Sequence, residues 1–387
     1  MLSRRLPHDR EPNAWSKSLA ARRAASRPLV DLTESNPTRV GLAPEADELA
    51  ALADPRGARY EPDPRGLASA REAVADYYSS RGVAVAPEHL VLTSATSESY
   101  AHLLRLLADP GDVFLVPTPS YPLLEPLSML ENVTLAPYRI AYDGRWHLDL
   151  ASLEVALGGA PRARAVVVVE PNHPTGSCLT SEERVALERL CERHRLALIA
   201  DEVFGDFPWG AAPLPTFAGE RRVATFVLGG LSKSCGMPQL KLGWIVVAGP
   251  TAARESALSG LEWIADLFLS VSTPVQLALP RLLESGQRFR TRVRERIGAN
   301  RAALERLTRE QPTIDVLQAD GGWAAVLRLP ASRSGEEWSL ALLERDVIVH
   351  PGHFYDMTGE AYLVLSLIPE VDRFAWALGR LADLVAG

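Results

Sequence analysis

Lys233 has the strongest claim to chemistry in this chain. With Ser232 it sits in GGLSKSCGMPQLKLGW (229–244), after an apolar run that reads as a strand and before glycine-containing backbone. An amine fixed there is poised for chemistry, although most lysines are surface charges. Asp201, in Asp201-Glu202-Val203-Phe204, ends another apolar run. A carboxylate buried at a sheet edge needs a cation, for which a protonated ring nitrogen would serve; a helix cap or turn is the plainer use of an aspartate. Asn172 lies in EPNHPTG (170–176), where two prolines and a glycine fix a tight loop. Its amide could donate to an anionic oxygen or close an ordinary Asx turn. The stretch Thr93-Ser94-Ala95-Thr96-Ser97-Glu98 reads as a strand-to-helix junction. The amides and hydroxyls of Ala95, Thr96 and Ser97 could cradle a phosphate there, or form a capping box.

These residues need a frame that brings strand ends together. From about residue 90 to 250, β-branched runs alternate with helix-like segments, which predicts a mainly parallel sheet covered by helices. Strands are expected over 89–93, 113–117, 163–170, 196–201, 225–229 and 243–248, with a helix over 181–194 opened by Thr180. In such sheets ligands sit beyond the carboxyl ends of the strands, where all four candidate stretches fall. After Pro274 the texture changes to a long helical stretch over 276–310, followed by strands over 322–329 and 362–367. The fold class is therefore α/β, with a large lobe over 41–274 and a smaller α+β lobe from 1–40 and 275–387. Residues 13–25 read as a short surface helix.

Composition narrows the partners. At 387 residues, 47% hydrophobic and 23% charged, the chain reads as a soluble globular protein of two lobes. A net charge of -7 and the lack of a basic run argue against nucleic acid. The apolar runs are too short to span a bilayer. Cys178, Cys191 and Cys235 form no CxxC pair, so neither a disulfide framework nor a zinc cluster is expected. The first thirty residues carry seven basic and two acidic side chains, which admits a transit peptide, but a cytoplasmic protein is the expectation. No metal, P-loop, GxGxxG or GxSxG motif is present.

The order and spacing of these blocks resemble the class I/II aminotransferases of pyridoxal-phosphate fold type I. PNHPTG is similar to the family's PNNPTG, DEVF to its DEVY, and SKSCGMPQLKLGW to its lysine block with a basic residue eight positions on. RYEPDPRGLASAREAV and PTPSYP extend the likeness upstream, and VIVHPGHFY extends it downstream. The resemblance implies that Lys233 holds pyridoxal phosphate as a Schiff base and shuttles the substrate proton. It implies that Asp201 pairs with the pyridine nitrogen, Asn172 bonds the phenolate oxygen and Tyr121 stacks on the ring. Ala95, Thr96, Ser97, Ser232 and Lys241 would hold the phosphate, with Tyr60 reaching it from the second subunit of a homodimer that shares its active sites. The implied reaction moves an amino group between a small amine or amino acid and a keto acid or aldehyde. A lyase or decarboxylase on the same cofactor is the alternative, and a non-enzymatic PLP-binding protein a further one.

The pattern departs from the family in three places. Phe204 stands where a tyrosine usually donates to the phenolate, which should raise the pKa of the lysine–cofactor imine unless Tyr142 or water substitutes. Lys241 replaces an arginine, keeping charge without the bidentate fork. Val364 stands where an arginine ordinarily clamps the substrate carboxylate. Arg328 and Arg39 are candidate replacements, and Asn36, His350 and His353 are further candidate substrate contacts.

Overall fold

The computed structural model describes residues 3, 5, 6 and 11–387. Among them the largest sheet has eight strands, in the order Leu90–Thr93, Gly243–Ala248, Thr225–Gly230, Ala197–Asp201, Ala163–Val169, Val113–Thr118, Thr134–Tyr142 and Trp146–Leu148. All neighbours are parallel except at Gly243–Ala248, which runs against both its neighbours, and at the Trp146–Leu148 edge. The near-continuous apolar runs are what a sheet covered on both faces requires. Val166, Val168, Leu198, Ala200 and Val227 point into one core. Their alternates Ala165, Val167, Ile199, Phe226 and Leu228 point into a second core on the opposite face.

The crossover helix Ser181–His194 starts at a reciprocal cap. Thr180 Oγ1 accepts from Glu183 N, and Glu183 Oε2 accepts from Thr180 N. The strand Thr134–Tyr142 had no expectation in the sequence, because Pro137 and a mostly half-exposed pattern hide it.

The smaller lobe is built on an antiparallel sheet of Asp315–Val316, Ala324–Leu329, Ala361–Ser366 and His350–Pro351. Val326 pairs with Val364, and Ala324 with Ser366. Leu327, Leu363 and Leu365 face a core shared with the helix Val371–Ala386. The opposite face carries Ala324, Val326 and Val364.

One helix, Thr273–Glu310, serves both lobes. Val275, Ala278, Leu279 and Leu282 pack into the large-lobe core, and Phe289, Val293, Ile297 and Leu304 into the small-lobe core. A lobe boundary after residue 274 falls in its first turn, so packing divides this helix some ten residues further on, between Leu283 and Phe289. The amino-terminal helix Ala14–Ala24, expected as a surface helix, buries Trp15 and Leu19 against Leu343 and Ile348. No helix among the described residues is long and apolar enough to cross a membrane.

Candidate active site

A cavity of about 310 Å³ opens where the carboxyl ends of the large-sheet strands meet the small-lobe sheet. Lys233 projects into it from the short helix Leu231–Ser234, whose Leu231 and Ser234 are buried and so direct the lysine outward. Close backbone contact places that helix. A Cβ at Gly229 would lie 2.5 Å from the Trp244 indole nitrogen, and one at Gly230 would lie 3.0 Å from Gly243 Cα. Lys233 Nζ sits 5.4 Å from the Phe204 ring centroid and 5.1 Å from that of Trp323. Removal from water lowers its pKa below the ordinary lysine value, a shift opposed by the Asp201 charge.

Asp201 closes the strand Ala197–Asp201 and lines the same cavity. It accepts from Tyr100 Oη at 3.0 Å and from Val203 N at 3.1 Å. Burial pushes its carboxyl up to about 6 in spite of both bonds and of Lys233. The carboxylate is thus short of positive charge, and the ring nitrogen of pyridoxal phosphate is a group that would supply it.

The loop after Ala163–Val169 corrects one expectation. Asn172 is buried outside the cavity, and its two amide hydrogens go to Pro119 O and Thr175 Oγ1, each at 2.9 Å. Its side-chain oxygen accepts from Ser120 Oγ. No donor remains for a cofactor. The adjacent His173 faces the cavity instead, stacked on Phe204 at 5.6 Å with an interplanar angle of 20°. Its imidazole makes no hydrogen bond among the described residues. Burial, then the charge of Lys233, lowers its pKa to about 3, so the ring is neutral.

The junction at 93–98 forms as expected. The helix Thr96–Leu107 begins after Ala95, which has no side-chain acceptor to cap it, so its first-turn N–H groups are available to an anion. Thr96 lines the cavity. Gly243 keeps this turn close to the lysine strand, since a Cβ there would meet Ala95 C at 3.1 Å. Ser232 precedes Lys233 on the short helix, and Lys241 is exposed on the turn that follows, with positive φ. These donors suit a phosphate, and with Lys233 and Asp201 they fit pyridoxal phosphate. Tyr121 lines the cavity with its ring edge against His173, whereas Tyr60 is 74% exposed and outside it.

The substrate candidates divide. His350 lines the cavity and its Nδ1 lies 2.9 Å from Tyr355 Oη. Arg39 and Arg328 do not reach it. Arg39 pairs with Glu34 at 3.4 Å, and Arg328 with Asp315 at 2.8 Å and Glu360 at 3.8 Å. Alternation puts Arg328 on the face of Val326 and Val364, one pair further from the cavity. Asn36 caps Thr38, and His353 lies outside, packed on Phe354. Tyr142 is no stand-in for the missing tyrosine at Phe204, because its hydroxyl accepts from Gln318 N away from the cavity. Tyr100, Trp323 and Ser366 line the cavity without any sequence motif to mark them, while Ser120 and Tyr355, also in its lining, lie in the PTPSYP and VIVHPGHFY blocks but were not singled out there.

The family model for aminotransferase class I and II matches residues 28–370. The glutamate-pyruvate aminotransferase AlaA of Escherichia coli is 25% identical over 334 residues, covering 84% of this chain and 82% of that protein. YdcR of Escherichia coli, an uncharacterized HTH-type transcriptional regulator, is 30% identical over 305 residues, covering 77% of this chain and 62% of that protein. The solved alanine aminotransferase of Pyrococcus furiosus superposes with a TM-score of 0.89 over 100% of both chains at 20% identity. The chain belongs to the class I and II aminotransferases, enzymes that use pyridoxal phosphate to move amino groups.

Proposed function

We propose that Lys233 is the catalytic lysine of this pyridoxal-phosphate-dependent aminotransferase, with Asp201, His173 and the turn at Ala95–Ser97 as the cofactor's partners. One observation carries the assignment: a lysine of lowered pKa lies between the Phe204 and Trp323 faces in the same cavity as a buried carboxylate whose pKa stays raised in spite of that lysine. The chain holds only three lysines, Lys17, Lys233 and Lys241, against many arginines. Arginine cannot form an imine, so a lysine retained in the cavity has a chemical reason.

Bound pyridoxal phosphate supplies an aldehyde for amine exchange and a ring that accepts electrons. Asp201, held by Tyr100 Oη and Val203 N, would keep a proton on the ring nitrogen. His173, being neutral, has one N–H to offer where Asn172 was expected to donate. Lys233 Nζ, depressed by desolvation, would be the base that takes up and returns the substrate's proton. Ala95, Thr96, Ser97 and Ser232 would hold the phosphate, with Lys241 adding charge. Tyr121 and Phe204 cover the site and exclude water.

The assembly we propose is a homodimer. Trp263, Leu267, Phe268 and Leu269 form an exposed apolar cluster at the end of Thr251–Phe268, larger than a lone surface residue, and exposed Tyr60 is available to a second copy. The substrates are a small amine or amino acid and a carbonyl acceptor.

Borohydride reduction of the purified holoenzyme followed by peptide mapping tests the lysine. The expected adduct is on Lys233, with loss of visible absorbance and of turnover in Lys233→Ala. An adduct on Lys17 or Lys241, or turnover in Lys233→Ala, refutes the assignment.

A further inference from the structure

Lys233 stands on a helix of a single turn, Leu231–Ser234, too short to hold its own shape. The long helix Thr273–Glu310 behind it supplies the support. Cys235 Sγ donates to Leu282 O at 3.3 Å. Arg290 Nη1 donates at 3.2 Å to Ser234 O, a carbonyl at the end of the short helix that has no partner within it. Gly286 lets the two helices meet, since a Cβ there would lie 2.5 Å from Cys235 Sγ and 3.0 Å from Arg290 Nη1. Glycine weakens a helix interior, so its place at this contact has a packing cause.

Arg290 also begins a chain of polar contacts that ends beside Asp201. Its Nε lies 4.0 Å from Asp206 Oδ1. Asp206 Oδ2 accepts from Tyr77 Oη at 3.0 Å, and that hydroxyl accepts from Arg81 Nη1 at 3.2 Å. Arg81 Nη2 lies 4.0 Å from Glu202 Oε2, while Glu202 Oε1 accepts from Phe217 N at 2.6 Å. The chain thus runs from Ser234, next to Lys233, to Glu202, next to Asp201. Arg290, Asp206 and Glu202 are buried, and nothing from Arg290 to Glu202 lines the cavity. Two arginines against two carboxylates leave no net charge. Buried ion pairs stabilise a fold no better than apolar side chains of the same volume, so stability is a poor reason for four charged groups here. Directional contacts that hold two backbone segments at one spacing are a better one.

We infer that Arg290 is a positioning residue for the aminotransferase reaction. Through Ser234 O it holds the backbone under Lys233, and through Asp206, Tyr77 and Arg81 it keeps that backbone in register with the strand end that carries Asp201. This role rests on Lys233 as the catalytic lysine. Lys233 and Asp201 must act on one cofactor, so their spacing governs the rate, and misplacement by about 1 Å can slow such a step about a hundredfold.

The test adds pyridoxal phosphate to the cofactor-free protein and follows visible absorbance by stopped flow, as Lys233 Nζ adds to the aldehyde carbon and water leaves. The rate at saturating cofactor and the half-saturating concentration are measured separately, beside thermal unfolding of the cofactor-free protein. Arg290→Met strands Asp206 and should lower the melting temperature by about 5 °C. It should also slow the saturated rate at least about tenfold, with the half-saturating concentration within about twofold because the phosphate turn is untouched. Arg290→Met combined with Asp206→Asn removes both charges and keeps an acceptor for Tyr77. This double variant should regain most of the melting temperature and stay slow. A double variant that regains rate together with stability overturns the proposal, since a purely structural role predicts it. A wild-type rate in Arg290→Met, or a change confined to the half-saturating concentration, overturns it as well. Should Arg290→Met not fold, the double variant decides alone. Borohydride mapping keeps the two proposals apart: a wild-type adduct away from Lys233 refutes the lysine assignment, whereas an adduct on Lys233 with unslowed variants refutes the role of Arg290 alone.

Discussion

Asp201→Asn should make the cofactor-free protein more stable. The Asp201 carboxyl is raised from 3.8 to about 6, chiefly by burial. An acid whose folded pKa is raised contributes its full stability below the unfolded value and loses it as pH rises through the folded value. Linkage puts that loss at about 1.5 kcal/mol at pH 5 and about 3 kcal/mol at pH 8. Asparagine does not titrate, so the variant escapes the loss. Its oxygen still accepts from Val203 N, whereas the Tyr100 hydroxyl, now facing an amide, forfeits about 1 kcal/mol. The variant should therefore gain roughly 0.5 kcal/mol at pH 5 and about 2 kcal/mol at pH 8. Urea unfolding at both pH values, without cofactor and at one protein concentration, measures the difference. Saturating pyridoxal phosphate should reverse the order at pH 8, because only the carboxylate keeps the ring-nitrogen proton. A cofactor-free variant no more stable than wild type at pH 8, or a difference that does not change with pH, refutes the account of Asp201.

His173→Phe keeps the stack on Phe204 and removes both ring nitrogens; the pH midpoint of the holoenzyme's visible absorbance should rise by about one unit, with no comparable fall in melting temperature. An unmoved midpoint takes His173 out of the cofactor's surroundings. The buried pair of Arg184 with Glu170 anchors the loop that carries His173, and Glu170 Oε1 also accepts from Leu179 N. Arg184→Met strands that carboxylate and should cost about 3 to 5 kcal/mol in urea unfolding, whereas a loss under about 1 kcal/mol would show that water rescues the charge.

Apolar runs announce strands plainly when both faces are covered, and the ends of those strands lead to Lys233 and Asp201. Lysine scarcity points the same way, since a chain that meets its surface needs with arginine has a separate reason for Lys233. Side-chain direction within an irregular loop is another matter. Asn172 and His173 are adjacent, both polar, and flanked by prolines, and only the path of the backbone decides which one turns to the cavity. Arg39 and Arg328 were credible replacements for the absent arginine because composition does not reveal that Glu34, Asp315 and Glu360 hold them. Ser366 comes to the cavity through the register of Ala324 with Ser366, a long-range pairing that no local pattern encodes.

The helix Thr273–Glu310 ties the two lobes energetically as well as spatially. Neither core can lose its packing without releasing one end of a rod whose other end completes the second core. The lobes therefore melt as one cooperative unit, with a single calorimetric transition where two independent domains would give two. Mutational strain introduced near Leu304, far from Lys233, lowers the same global stability that the cavity draws on.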